Sequence, residues 1–299
     1  MSDNPSSAGQ RFRDALTARQ PLQIVGTINA YSALLAERAG FSAIYLSGAG
    51  VANASYGMPD LGVTSLQDVL IDAGRITSAC NLPLLVDIDT GWGTAIGIER
   101  TVHEMIKAGV AAVHMEDQLA AKRCGHRPNK ALVSCEEMCD RVAAASAAKT
   151  DPAFVLMART DAAASEGLQS AIDRANAYAA AGADMIFAEA LRSAEDFKTF
   201  TSAVSVPVLA NMTEFGKTPL MTTTELAELG IQLVLYPLSA FRAMSRATEQ
   251  VYAAIKSDGT QTGVLDTMQP RDDLYDVLGY LEIEQRIDKL LQQNQSNEG

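Results

Sequence analysis

The residues that close the short apolar runs of this chain are of the kinds that bind cations and carboxylates. Asp87 and Asp89 end LPLLVDID, Glu116 and Asp117 end AAVHMED, Arg159 and Asp161 come with FVLMART, and Glu189, Asn211 and Thr213 close later runs. Tyr45, Ser47 and Gly48 close an earlier one. On a strand, Asp87 and Asp89 stand two apart and so share a face, where they can hold one hard cation or its water ligands. Glu116 on the next run adds a third oxygen donor. With no His or Cys at zinc-like spacing nearby, such a cluster suits Mg2+ or Mn2+. The same acids could instead cap a helix or pair with arginine.

A second cluster has the opposite sign. KRCGHRPNK, residues 122–130, sets Lys122, Arg123, His126, Arg127 and Lys130 around Cys124. Flanking cations lower a thiol's pKa, so Cys124 is suited to exchange a proton near neutral pH, and the local charge suits a polyanionic substrate. The segment directly follows the run ending in Glu116, which puts it near the acids. Cys80, Cys135 and Cys139 read as packing thiols, and His103 and His114 as structural histidines. Trp92 and Gly93 shape the turn after the aspartates.

The elements that must position these groups follow from the pattern. Eight apolar runs, beginning at Leu22, Phe41, Leu82, Ala111, Phe154, Met185, Pro207 and Leu233, are apolar on both faces and alternate with helical segments. Parallel strands buried between a barrel interior and a helical shell have this character, so the fold expected is a (β/α)8 TIM barrel. In such a barrel, reacting groups project from the C-terminal strand ends, where the polar residues lie. Three helices stop at an Ala-Gly pair, at Gly40, Gly109 and Gly182. The lead to residue 10 reads as disordered, and residues 1–299 as a single domain with no linker rich in Pro, Gly or Ser. The helices of residues 239–292 carry a surplus apolar stripe, Tyr280, Ile283, Ile287, Leu290 and Leu291, which needs a partner on the barrel or, preferably, on a neighbouring subunit.

Composition limits the classes of function. Hydrophobic residues make up 47% of the 299, and 36 acidic against 24 basic side chains leave a net charge of -12. That charge argues against nucleic acid and anionic membranes as partners and leaves a small molecule. Four dispersed cysteines and no apolar run near the ~18 residues of a membrane span suit a reducing cytoplasm.

KRCGH, VDIDTGWG (Val86 to Gly93), YLSGAG (Tyr45 to Gly50), MARTDA (Met157 to Ala162) and NMTEFG (Asn211 to Gly216) together resemble the 2-methylisocitrate lyase family, in the isocitrate lyase and phosphoenolpyruvate mutase superfamily. The resemblance spans about residues 10 to 290. It implies a barrel that exchanges a helix between subunits, a homotetramer, and Mg2+-dependent cleavage of 2-methylisocitrate to pyruvate and succinate in the methylcitrate cycle of propionate catabolism. It implies metal ligation by Asp87, Asp89, Glu116 and Asp60, and catalysis by Cys124, His126, Lys122, Arg159 and Tyr45, with Cys124 as proton donor. Substrate contacts carried over are Ser47, Gly48, Ala49, Gly125, Arg159, Glu189, Asn211, Met212, Thr213, Arg242 and Arg271, with Phe187, Leu235 and Pro237 receiving the extra methyl. The alternatives are isocitrate lyase, a superfamily enzyme acting on another 2-oxo or 2-hydroxy acid such as oxaloacetate, and a non-catalytic dicarboxylate-binding barrel.

Overall fold

The computed structural model describes residues 6–120, 122 and 131–297, with side chains as far as residue 293. Eight parallel strands close a barrel in sequence order, β1 pairing with β8. They are β1 (Leu22–Gly26), β2 (Ile44–Leu46), β3 (Leu84–Asp87), β4 (Ala112–Glu116), β5 (Val155–Thr160), β6 (Met185–Ala188), β7 (Val208–Asn211) and β8 (Leu233–Tyr236). All eight expected strands form, each shorter than its apolar run, so several of the polar residues closing the runs lie in the loops just past the ladder. The register sets Asp87 beside His114 and Glu116 beside Arg159.

The helices are α1 (Ala8–Ala18), α2 (Ala30–Arg38), α3 (Gly48–Gly50), α4 (Leu66–Ala79), α5 (Ala95–Lys107), α6 (Cys135–Ala147), α7 (Leu168–Ala180), α8 (Ala194–Ala203), α9 (Thr223–Glu228), α10 (Ser239–Asp258), α11 (Arg271–Leu278) and α12 (Tyr280–Asn297). Ser65 and Asp68 form a reciprocal capping box that starts α4. The Ala-Gly stops work as the sequence suggests: Gly40, Gly109 and Gly182 take positive φ after α2, α5 and α7.

Two apolar layers make up the core. One lies between strands and helices. The other fills the barrel with Ile24, Tyr45, Leu85, Met157, Phe187, Leu209 and Leu235. Phe12 and Leu16, one turn apart on α1, join this inner layer from the N-terminal end of the strands. The lead expected to be disordered to residue 10 is therefore partly helical: Ser7 caps α1 through the backbone N–H of Gln10, and the burial of Phe12 makes an ordered start worthwhile.

Asp184 ties this plug to the barrel wall. Its carboxylate accepts from Arg13 of α1 at 2.8 Å, from Lys149 at 2.5 Å and from the Leu156 backbone N–H at 2.8 Å. Burial pushes its pKa up, but these donors outweigh burial and hold it below the ordinary 3.8. Because the folded value is depressed, the stabilisation is present above about pH 4 and is lost as pH falls through the folded value. Asp184→Asn is expected to cost about 2 kcal/mol at pH 7, roughly 5 °C in melting temperature, with the difference closing in acid. Thermal melts of both proteins across pH check this.

The chain divides into two compact units, Met1–Phe241 and Arg242–Gly299, where the sequence reads as one domain. No linker marks the boundary because α10 runs through it. In the second unit Tyr252, Leu281, Ile287, Leu290 and Leu291 are exposed. Among the described residues no helix is long and apolar enough to cross a membrane.

Candidate active site

The C-terminal ends of β2 to β7 bring the expected polar residues together. Asp87, the last residue of β3, accepts hydrogen bonds on both oxygens: Oδ2 from the Gly48 N–H at 3.2 Å, Oδ1 from the Asp89 N–H at 3.0 Å. Asp89 reaches the same place by a different route from the one its spacing suggests. It lies beyond the strand with φ 48°, so strand alternation is not what aligns it with Asp87. Asp89 opens a turn in which Gly91, Trp92 and Gly93 also take positive φ, and the Trp92 indole N–H donates to the Thr64 carbonyl at 3.0 Å. A left-handed Asp and Trp so close together cost about 1 kcal/mol or more each, strain of the kind held at functional sites.

A Cβ built on Gly48 would stand 3.1 Å from both Asp87 Oδ2 and Asp89 Oδ1. Gly48→Ala is therefore expected to push the carboxylates apart and lower turnover about tenfold, with little change in stability. Steady-state kinetics beside a thermal melt test it.

Lys122 is buried, its ammonium 2.5 Å from Asp89 and 2.7 Å from Asp60. Its charge is thus taken up by two acids, whereas the sequence reading offers it to an anionic substrate. Even so, the cluster is short of positive charge. Burial and the charge of Asp87 push Asp89 up to about 7. Burial also pushes Asp87 up, but the surrounding positive charge outweighs it and brings Asp87 down to about 2. Glu116 is buried and raised well above the usual carboxylate range by burial. Its Oε1 has no hydrogen-bond partner among the described residues. Among the described residues no three of these acids are grouped closely enough to hold a metal ion, Lys122 standing between Asp89 and Asp60, but a donor set of oxygens alone with Glu116 Oε1 orphaned suits a hard divalent ion over a soft one.

Arg159, ending β5 with Thr160, lies across the other half of the strand ends. Asp161 holds it at 3.0 and 3.3 Å, Glu116 lies 3.4 Å from Nε, and Glu189 lies 3.5 Å from Nη2. Its guanidinium carbon sits 4.9 Å above the Phe187 ring. Asn211 donates to Glu189 at 3.3 Å. Ser47 and Thr213 are buried, and Ala49 is half-buried in α3.

The Tyr45 hydroxyl lies 2.9 Å from His114 Nε2 and 3.5 Å from Asp87 Oδ2. Burial, then the Asp87 charge, raises the phenol well above 10, so Tyr45 keeps its proton at neutral pH and is not a phenolate base. His114, read from the sequence as structural, belongs to the site. Burial lowers it to about 4, which leaves the ring neutral and able to accept from Tyr45. Met212 is a further correction: its side chain packs in the layer between strands and helices, because the preceding Asn211 takes the inward direction. Phe187 and Leu235 line the barrel interior, and Pro237 follows β8 half-buried. Arg242 and Arg271 belong to the C-terminal unit, in α10 and at the start of α11. Cys124, Gly125 and His126 lie outside the described residues.

Sequence reasoning missed Tyr178 and Arg174 of α7, which reach Asp117 beneath the site. The consecutive acids Glu116 and Asp117 at one strand end were the available signal, since both cannot face the barrel mouth.

The phosphoenolpyruvate phosphomutase family matches residues 12–256. Among solved structures, phosphonopyruvate hydrolase in complex with oxalate and Mg2+ superposes with a TM-score of 0.82 at 30% identity, covering 93% of this chain and 97% of that one. The chain belongs to this family of the phosphoenolpyruvate mutase and isocitrate lyase superfamily. At closer range its relatives are 2-methylisocitrate lyases. That of Shewanella oneidensis is 64% identical, covering 96% of this chain and 99% of the relative, and that of Escherichia coli 59%, covering 97% and 98%.

Proposed function

We propose that this protein is a Mg2+-dependent carbon-carbon lyase that cleaves 2-methylisocitrate to pyruvate and succinate, as the methylcitrate cycle of propionate catabolism requires. The observation that carries this reading is the pairing of an acid cluster on β3 and β4 with a buried Arg159, in a chain 64% identical to a 2-methylisocitrate lyase over almost its whole length.

Asp87, Asp89 and Glu116, with Asp60 at the margin, would hold the metal. Bound there, Mg2+ supplies a Lewis acid for the substrate's hydroxyl and adjacent carboxylate. The chain's own groups then manage protons and charge. Tyr45, which keeps its own proton, would hydrogen-bond the substrate hydroxyl and orient it, and the proton released there passes to water. The bond between the carbinol carbon and its neighbour breaks. Its electron pair moves onto the succinate half while the carbinol becomes the pyruvate carbonyl. Arg159 faces the charge that develops, a preorganised contact worth about 3 to 4 kcal/mol. Cys124, with His126 two residues on in the sequence, would deliver the proton that completes succinate. Ser47, Asn211, Thr213 and Glu189 would bind carboxylate and hydroxyl groups.

A homotetramer with helix exchange is part of this reading, and the exposed apolar residues on α10 and α12 support a partner surface there. Free Cys80, Cys135 and Cys139 among the described residues support a reducing cytoplasm.

Product release with and without EDTA tests the assignment, read as pyruvate from 2-methylisocitrate, glyoxylate from isocitrate, and pyruvate or oxalate from oxaloacetate. Release from 2-methylisocitrate that EDTA stops and Mg2+ restores is expected; faster turnover of either other acid would overturn it. Cys124→Ser is expected to keep fold and Mg2+ binding while losing about two orders of magnitude in turnover. Full activity in that variant would remove the thiol from the reaction.

A further inference from the structure

Below the reacting groups lies a buried polar chain that the proposed chemistry does not touch. Tyr178 on α7 is fully buried, and its hydroxyl donates to Asp117 Oδ2 at 2.9 Å while accepting from Arg174 Nη1 at 3.1 Å. Asp117 takes two further donors, the Thr160 hydroxyl at 2.8 Å and the Asp161 backbone N–H at 2.9 Å. Asp161 in turn holds Arg159 with both oxygens. Arg174 also donates to the Val133 carbonyl at 3.0 Å, and Val133 N–H donates to the Asp117 carbonyl at 2.9 Å, just past the 123–130 segment.

We infer that Asp117, Tyr178 and Arg174 form a positioning relay that sets the aim of Arg159 through Asp161. Stability alone does not account for it. A buried carboxylate and guanidinium cost desolvation, and well-packed apolar side chains in their place are often neutral or better. What such a chain supplies is direction. Arg174 can only donate, Asp117 only accepts, and the hydroxyl between them is oriented by both. Asp161 thereby has its backbone fixed at the strand end, and its carboxylate presents a fixed edge to the guanidinium. A preorganised donor loses much of its effect when displaced by about 1 Å.

The inference rests on the lyase reading, and a double-mutant cycle separates the two. Tyr178→Phe is expected to lower kcat about tenfold with KM within twofold. In an Arg159→Lys background the same change is expected to alter kcat by less than twofold, because Arg159 is no longer there to be aimed. Thr160→Val, which removes another donor to Asp117, is expected to repeat the pattern. Melting temperatures should fall equally in both backgrounds. Oxalate affinity of the Mg2+-loaded proteins, by calorimetry, gives the same cycle without turnover. Non-additive oxalate binding in a wild-type protein that does not cleave 2-methylisocitrate would remove the substrate assignment and keep the relay. Additive effects of Tyr178→Phe in both measurements, or none, overturn the relay.

Discussion

Asp87→Asn is expected to abolish Mg2+ binding at millimolar concentrations and to lower kcat/KM for 2-methylisocitrate by about 10^4-fold, the largest effect of any single substitution in this chain. The reason lies in the donors around the carboxylate as much as in its charge. Oδ1 and Oδ2 each accept from a backbone N–H, those of Asp89 and Gly48. An amide must turn its NH2 toward one of them and set donor against donor, which costs roughly 1 to 3 kcal/mol and displaces Gly48 or Asp89. The charge loss acts on the same place. Asp87 is the acid of the cluster that stays ionised most readily, while Asp89 is raised to about 7 by burial and by Asp87 itself. Calorimetric Mg2+ titration together with turnover tests this. Affinity within threefold of wild type would mean that Asp87 is not the anchor of the site.

Arg159→Met is expected to cost about 10^3-fold or more in kcat/KM, close to the 3 to 4 kcal/mol assigned to a well-placed charged donor. Three carboxylates, on Asp161, Glu116 and Glu189, lie within 3.5 Å of its guanidinium. Removing the cation leaves these acids facing one another in a buried site, so part of the loss will appear as instability of about 3 kcal/mol. Arg159→Lys keeps the charge and separates the two effects. A lysine cannot span both Asp161 oxygens and Glu189 with one planar group, so it should fold well and still lose about 10^2-fold. If Arg159→Lys turns over substrate at the wild-type rate, charge without aim is sufficient and the planar fork has no role.

The groups that act over short sequence distances could be read directly. The apolar runs gave eight strands because a strand buried on both faces has no polar alternate, and the Ala-Gly pairs gave helix ends because only glycine takes the left-handed turn cheaply. Asp87, Glu116, Arg159 and Glu189 were readable as a site because barrel topology sends every strand end to one rim. Asp89 was placed correctly for a reason that does not hold, since its backbone leaves the strand and returns its carboxylate through a strained turn.

Residue order alone determined that this chain closes a barrel of parallel strands and collects acids and an arginine at one end, because periodicity and strand-end chemistry are local properties. Only the tertiary structure decided that His114 meets the Tyr45 hydroxyl 69 residues away, that Lys122 neutralises Asp89, and that Tyr178 reaches Asp117 across 61 residues. Those pairings depend on which side chains meet across neighbouring strands and helices, and on how burial shifts their protons. Neither is encoded at any fixed spacing along the chain.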